Sequence, residues 1–255
     1  MLDARAMKSA QDSMRAPVIR RFYKTVGVGE SDGAFVLTLD GRQARTPKKR
    51  PLAMPTPALA ARLAAEWDGQ GEAIKPADMP FTRLANAAID GVADTMDSTR
   101  ATLAAYAQSD LVCFRAEASG ELIGAQALGY DPVLAFAEDR LGARFILGRG
   151  IIPVRQAPET LAKVRQAFDA IASPFALTAL HTLVSMTGSA LLGLSLWERA
   201  FDAEPVWRLA HIDEDHQIAL WGVDDEAAAR RALHKRDFDV AAEVIDALAP
   251  KAPGD

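Results

Sequence analysis

A single cysteine, Cys113, in a chain of 255 residues rules out an internal disulfide and a cysteine-built metal site. It lies in the apolar run Leu111-Val112-Cys113-Phe114, where a small buried hydrophobe is the expected role. No run of about 20 apolar residues occurs, so no membrane-spanning helix is expected. The longest candidate, Ser189 to Trp197, is far too short. A basic excess is missing as well. Lys and Arg number 29 against 34 Asp and Glu, a net charge of −5, which argues against a nucleic-acid binder. Phosphate-cradling glycine loops are absent: Gly27-Val28-Gly29-Glu30 and Gly148-Arg149-Gly150 lack the spacing and the helix that should follow. Gly188-Ser189 is no nucleophile elbow, because Thr187 and Leu191 stand where the flanking glycines belong. Residues 1–20 have no apolar stretch and mix Arg5, Lys8 and Arg15 with Asp3 and Asp12. That pattern fits neither a secretory signal nor a transit peptide. Residues 1–19 are expected to be a flexible tail, and the protein to be cytoplasmic and bacterial.

What is present is ordinary globular material, 49% apolar and 25% charged, enough to bury a core. The first ordered stretch reads as β: Phe22 to Val28, a Ser31-Asp32-Gly33 turn, Phe35 to Leu39, then Asp40-Gly41, a strong hairpin signal. Pro47, Pro51, Pro55 and Pro57 end the sheet. From Thr56-Pro57 the pattern turns helical, with Leu59, Leu63 and Trp67 on one stripe. Further helices are expected after Asp78-Met79-Pro80, from Asp97 or Ser98 to Gln108, from Asp131-Pro132, from Pro158 and from Pro174. Three more are expected over Ser189 to Phe201, Pro205 to Trp221 and Asp225 to Leu248. The segment from Ser189 is apolar all round in its first half and should be central. The fold class is α+β: a small N-terminal antiparallel β domain over 20–56, followed by a larger all-helical domain over 57–250.

Two polar clusters stand out. Arg42 to Arg50 is densely basic, either the solvated edge of the sheet or a contact for an acidic partner. His211-Ile212-Asp213-Glu214-Asp215-His216-Gln217 holds three acids and two histidines. Read as a catalytic or metal site it would suggest a metal- or carboxylate-dependent hydrolase. His211 and His216, however, lie about 140° apart on a helix and cannot readily share one ion. A solvated acidic face is the plainer reading. A third reading uses one helical stripe: Trp207, Ala210, His211, Glu214, Ile218 and Trp221. Glu214 then sits among aromatic and apolar neighbours, where a buried charge needs a partner. That partner is either an internal arginine or a basic group on a bound protein.

Several stretches in this order resemble the F-type ATP synthase assembly chaperones that act on the α subunit. They are Arg21-Phe22-Tyr23-Lys24, Leu39-Asp40-Gly41-Arg42, Thr46-Pro47, Ala65-Glu66-Trp67-Asp68 and Pro80-Phe81-Thr82-Arg83-Leu84-Ala85-Asn86. They continue through Ser109-Asp110-Leu111, Arg115, Tyr130-Asp131-Pro132, Asp213-Glu214-Asp215-His216-Gln217 and Trp221-Gly222. The resemblance spans roughly residues 20 to 245. Tyr130 stands where the family usually has Trp, and the helix after Gly222 looks different from mitochondrial members. The resemblance implies a β domain followed by a helical one and no enzymatic activity; no cofactor is expected. It implies as partner the unassembled ATP synthase α subunit, held before it meets the β subunit, with the mitochondrial matrix as the site of eukaryotic relatives. It also makes the acidic position at Glu214 functionally important. The partner-binding set is therefore expected to be Glu214, Asp213, Trp207, Ile218 and Trp221, extended by Leu191-Leu192-Gly193-Leu194. No catalytic residue and no metal ligand is expected, and the protein is expected to be a monomer that neither binds nucleic acid nor enters a membrane.

Overall fold

The structure is a computed structural model that describes residues 19–150 and 154–250. Of the tail expected over 1–19, only Ile19 falls among the described residues. An antiparallel sheet comes first, with helices after it. Contacts gather the chain into two compact units. The first takes the described residues up to Arg45 together with Pro51–Arg83; the second takes Thr46–Arg50 and the described residues from Leu84 onward. The four strands before residue 56 form one sheet, and the first helix falls in the same unit as that sheet.

In the first unit, β1 (Val26–Ser31) pairs with β2 (Ala34–Leu39). β2 pairs on its other side with β3 (Arg42–Gln43) and β4 (Ala53–Met54). Both hairpin turns carry two successive positive φ angles, 52° and 74° at Asp32 and Gly33, and 49° and 76° at Asp40 and Gly41. That is the primed turn whose twist matches the strands. β1 starts later than Phe22. Asp40 Oδ1 instead accepts from Lys24 N (3.0 Å), Thr25 N (2.9 Å) and Thr25 Oγ1 (3.1 Å), which takes the entering chain out of the ladder. These donors hold the Asp40 carboxyl below the usual range.

Helix α1 (Pro57–Asp68) opens as expected, Thr56 accepting from Leu59 N at 3.3 Å. Its C-terminal turn is tied down twice. Arg21 donates to the carbonyls of Asp68 (2.9 Å) and Gln70 (2.5 Å), and the Tyr23 hydroxyl donates to Trp67 O at 2.6 Å. Glu66 in turn caps α2 (Pro80–Asp90), accepting from Phe81 N (2.6 Å), Thr82 N (2.8 Å) and Thr82 Oγ1 (2.9 Å). Burial raises the Glu66 carboxyl more than these donors lower it.

The second unit is a helical bundle. It contains α3 (Met96–Ala105), α4 (Gly120–Leu141), α5 (Pro158–Asp169), α6 (Pro174–Thr187) and α7 (Ala190–Trp197). α8 (Ala203–Ala210), α9 (Ile212–Trp221) and α10 (Asp225–Leu248) complete it. A parallel pair, β5 (Phe114–Arg115) with β6 (Gly148–Arg149), lies at its side. Asp131-Pro132 does not start a helix, contrary to expectation. Pro132 sits inside α4, whose cap is Ser119, accepting from Leu122 N at 3.4 Å. Proline there removes the hydrogen bond that Leu128 O would accept. Leu128 is among the most exposed apolar residues, so water can satisfy that carbonyl. In the basic run, Arg50 pairs with Asp94 at 2.7 Å and Lys48 Nζ donates to Asp90 O at 2.6 Å.

All eight residues of α7 are buried, as the all-round apolar pattern suggests. It packs against α4, α6 and α10. Each fully buried leucine there contributes about 1.5–3 kcal/mol. Such a helix cannot satisfy its first amides with water. Ser189 Oγ accepts from Leu192 N (3.0 Å) and Asp110 Oδ2 from Leu191 N (3.0 Å), while Asp110 Oδ1 accepts from Val112 N (3.2 Å). Asp110 is fully buried, and burial pushes its carboxyl up to about 6 from 3.8, against the pull of these donors. Between those values the folded chain keeps a proton that the unfolded chain has released. Stability from this group is therefore full below pH 4 and is lost as pH rises through 6. The change is about 3 kcal/mol at most. In urea unfolding, wild type minus Asp110→Asn should lose stability between pH 4 and pH 7; a flat difference would show that this carboxyl does not titrate there.

Candidate functional site

The one helix expected over Pro205 to Trp221 is two, broken at His211. In a continuous helix His211 N would donate to Trp207 O. Here it donates to Arg208 O at 3.1 Å, and the freed Trp207 carbonyl takes His211 Nδ1 at 2.7 Å. The imidazole lies against the indole, with centroids 3.9 Å apart. Trp207 is buried edge-on to Phe238 at 5.1 Å, with Arg231 and Lys235 over its ring at 6.0 and 5.8 Å. Trp207 is thus a core residue of α8 and presents no surface, which corrects its place in the expected set. Leu191 to Leu194 are likewise buried in α7 and cannot extend a surface patch.

The second half, α9, has no buried residue and is held by polar contacts. Gln126, buried on α4, donates to Asp213 Oδ1 at 2.6 Å while its own carbonyl accepts from Ala116 N at 2.8 Å. His216 Nε2 meets Ser119 Oγ at 3.1 Å. Arg231 on α10 pairs with Asp215 at 2.5 Å and with Glu214 at 3.8 Å. Glu214 also lies 3.8 Å from His211 Nε2, and its side chain is 43% exposed. Its charge is therefore answered from within the chain, by an arginine, while one side stays open to solvent. A close approach lets the end of α8 and the start of α9 reach α4: a Cβ at Gly129 would stand 2.7 Å from Leu209 Cδ2 and 2.8 Å from Ile212 Cδ1.

Beneath this contact Arg115 donates to Asp131 at 2.7 Å and lies over the Tyr130 ring at 5.1 Å. The Tyr130 hydroxyl is buried and has no hydrogen-bond partner among the described residues. Burial raises its pKa first, and the nearby Asp213 charge adds to the rise. Arg115, Tyr130, Asp131 and Asp213, far apart in sequence, thus form one neighbourhood. Gln126 belongs to it and was missed; nothing in its local sequence marks it.

Glu214, Ile218 and Trp221 remain on one face of α9, at i, i+4 and i+7. Ile218 is half-buried and Asp213 exposed. At the C-terminal end Leu220 (56%), Trp221 (82%) and Val223 (65%) are exposed around Gly222, whose φ is 87°. The structure therefore gathers Asp213, Glu214, Ile218 and Trp221 on one short helix. The two imidazoles are committed to different neighbours, Trp207 and Ser119. Among the described residues no three His, Cys, Asp or Glu side chains group so as to hold a metal ion.

The profile of the ATP12 chaperone protein family matches residues 20–138. The crystal structure of Atp12 from Paracoccus denitrificans superimposes with a TM-score of 0.82 at 40% identity, over 89% of this chain and 97% of that one. The chain belongs to the ATP12 chaperone family. A putative chaperone from Agrobacterium tumefaciens agrees at a TM-score of 0.86 and 41% identity, covering 97% of this chain and 92% of that one. The mitochondrial protein atp12 of Schizosaccharomyces pombe is 24% identical over 230 residues, 86% of this chain and 79% of that protein. The ATP12 profile ends before α9, but the Paracoccus Atp12 structure covers 89% of this chain, so the helical part belongs to the family fold as well.

Gln126→Ala removes the latch on Asp213 and orphans Ala116 N, at a cost of about 1–3 kcal/mol. Amide exchange over Ile212–Trp221 should quicken while α1 stays protected. Unchanged exchange in α9 would mean that the latch does not hold it.

Proposed function

We propose that the protein is an assembly chaperone for the catalytic sector of the F-type ATP synthase. In this reading it holds the unassembled α subunit and keeps it from aggregating until the β subunit takes it over. The observation that carries the reading is the apolar cluster Leu220, Trp221 and Val223 standing in solvent beside the acidic first turn of α9. Subunits built to pair in a ring expose apolar interface before assembly, and that surface self-associates. A holder covers it reversibly with an apolar patch and uses a few charges to set orientation. Trp221 and Ile218 are assigned the first task, Glu214 and Asp213 the second. Arg231 keeps Glu214 from being an unpaired anion while the open side of its carboxylate faces the client. The choice of the α subunit rests on the family resemblance. The holder is a monomer acting in the bacterial cytoplasm, and its task requires no catalysis, cofactor or nucleic acid.

The test is capture of isolated, folded α subunit, with and without excess β subunit. Capture that β competes away is expected. Trp221→Ser should weaken it at least about tenfold, the effect of losing roughly 1.4 kcal/mol. Glu214→Lys should weaken it too, with the fold retained and the stability lost from the Arg231 contact within about 1 kcal/mol. No capture by the wild type would end the reading; capture unaffected by Glu214→Lys, with the fold intact, would remove Glu214 from it.

A further inference from the structure

The first unit carries a cleft of about 530 Å³ that the holding of a client at α9 does not use. One wall is the exposed strand β3, Arg42–Gln43, which pairs with β2 on one side and with no other described strand. The other wall is aromatic. Phe22, 69% exposed, packs edge-on to Tyr23 at 5.3 Å, and Tyr23 packs on Trp67 at 5.6 Å. The polar handles of that wall are already spent: the Tyr23 hydroxyl on Trp67 O at 2.6 Å, and Trp67 Nε1 on Thr82 Oγ1 at 3.0 Å. What it offers is ring surface at Phe22 and the half-buried Trp67, with Tyr23 buried behind them as support.

Charge decides what the cleft prefers. Arg42 and Arg45 line it, and Asp40 is the one carboxylate among the lining residues. The Asp40 Oδ1 already takes three donors from Lys24 and Thr25, which hold the group ionised and turned to its own turn. Arg42 has no ion-pair partner among the described residues. An unpaired strand edge offers backbone donors and acceptors to an incoming strand, and pockets beside it select alternate side chains.

We infer that the cleft between Phe22-Tyr23 and β3 is a docking site for an extended acidic segment of a partner protein, which pairs with the β3 edge, rests apolar side chains on the aromatic wall and sets a carboxylate on Arg42. The inference is independent of the client reading, since it concerns a different surface and is tested with a different ligand.

The probe is a fluorescent acetylated peptide that alternates aspartate with leucine. Its counterpart carries lysine in place of aspartate, and a third version has prolines that block strand pairing. Polarisation should show the acidic peptide binding at least about tenfold tighter than the lysine peptide, the span of one desolvated charge contact. The preference should shrink with salt. Arg42→Glu should reverse it, Phe22→Ser should weaken both peptides, and the proline version should not bind. Trp221→Ser should leave all of this unchanged. Absence of binding would mean that Arg42 only guards the edge against self-pairing. Equal binding of the two charges, an unaltered preference in Arg42→Glu, or loss of binding in Trp221→Ser would each overturn the site.

Discussion

A helix with every side chain in the core must bring its own acceptors, because water cannot reach its first amides. In the helical unit Asp110 and Ser189 meet that requirement for α7. The arrangement sets a constraint on everything around it. A carboxylate held away from solvent resists ionisation, yet its oxygens are aimed at the positive end of a helix, where negative charge is favoured. Desolvation prevails, and the group sits near the middle of the accessible pH range. Because α4, α6 and α10 all rest on α7, the seating of this buried helix determines where the others can lie.

Most residues that carry the family resemblance turn out to hold the scaffold. Arg21 and Tyr23 tie the entering chain to the end of α1, and Glu66 caps α2. Asp110 seats α7, and Arg115 joins Asp131 under Tyr130. The exceptions lie on α9, which has no buried residue and ends in exposed apolar side chains. Local rules of burial lapse most densely here: Leu220, Trp221 and Val223 stand exposed within four residues, whereas Leu128 on α4 and Leu233 on α10 are exposed singly. Such a lapse is expected where a surface serves another molecule.

Much of the fold was legible because its signals are local. Thr56-Pro57, Pro158 and Pro174 start helices where they should, and Asp40-Gly41 turns the hairpin. The failures share a cause, tertiary context acting against a local pattern. Asp131-Pro132 has the form of a helix start, but Ser119 begins α4 earlier and the exposed face around Leu128 tolerates the proline. Trp207 and Trp221 share a period, but a side-chain bond from His211 to Trp207 O breaks the helix between them and sends one indole inward and the other out. Glu214 was marked by its odd place on the stripe. Its partner Arg231 could not be read, since nothing in the spacing of α9 and α10 says which charges will face each other.

The lone thiol has a practical consequence. Cys113 is fully buried, and burial pushes its pKa upward, with the Asp110 charge adding to the effect. Thiolate is the reactive form, so this sulfur is inert to alkylating dyes in the folded chain. A cysteine placed at Val223 or at Gln43 would be the single site of labelling without any change to the native background. One probe at either position would report separately on the apolar end of α9 and on the edge of β3.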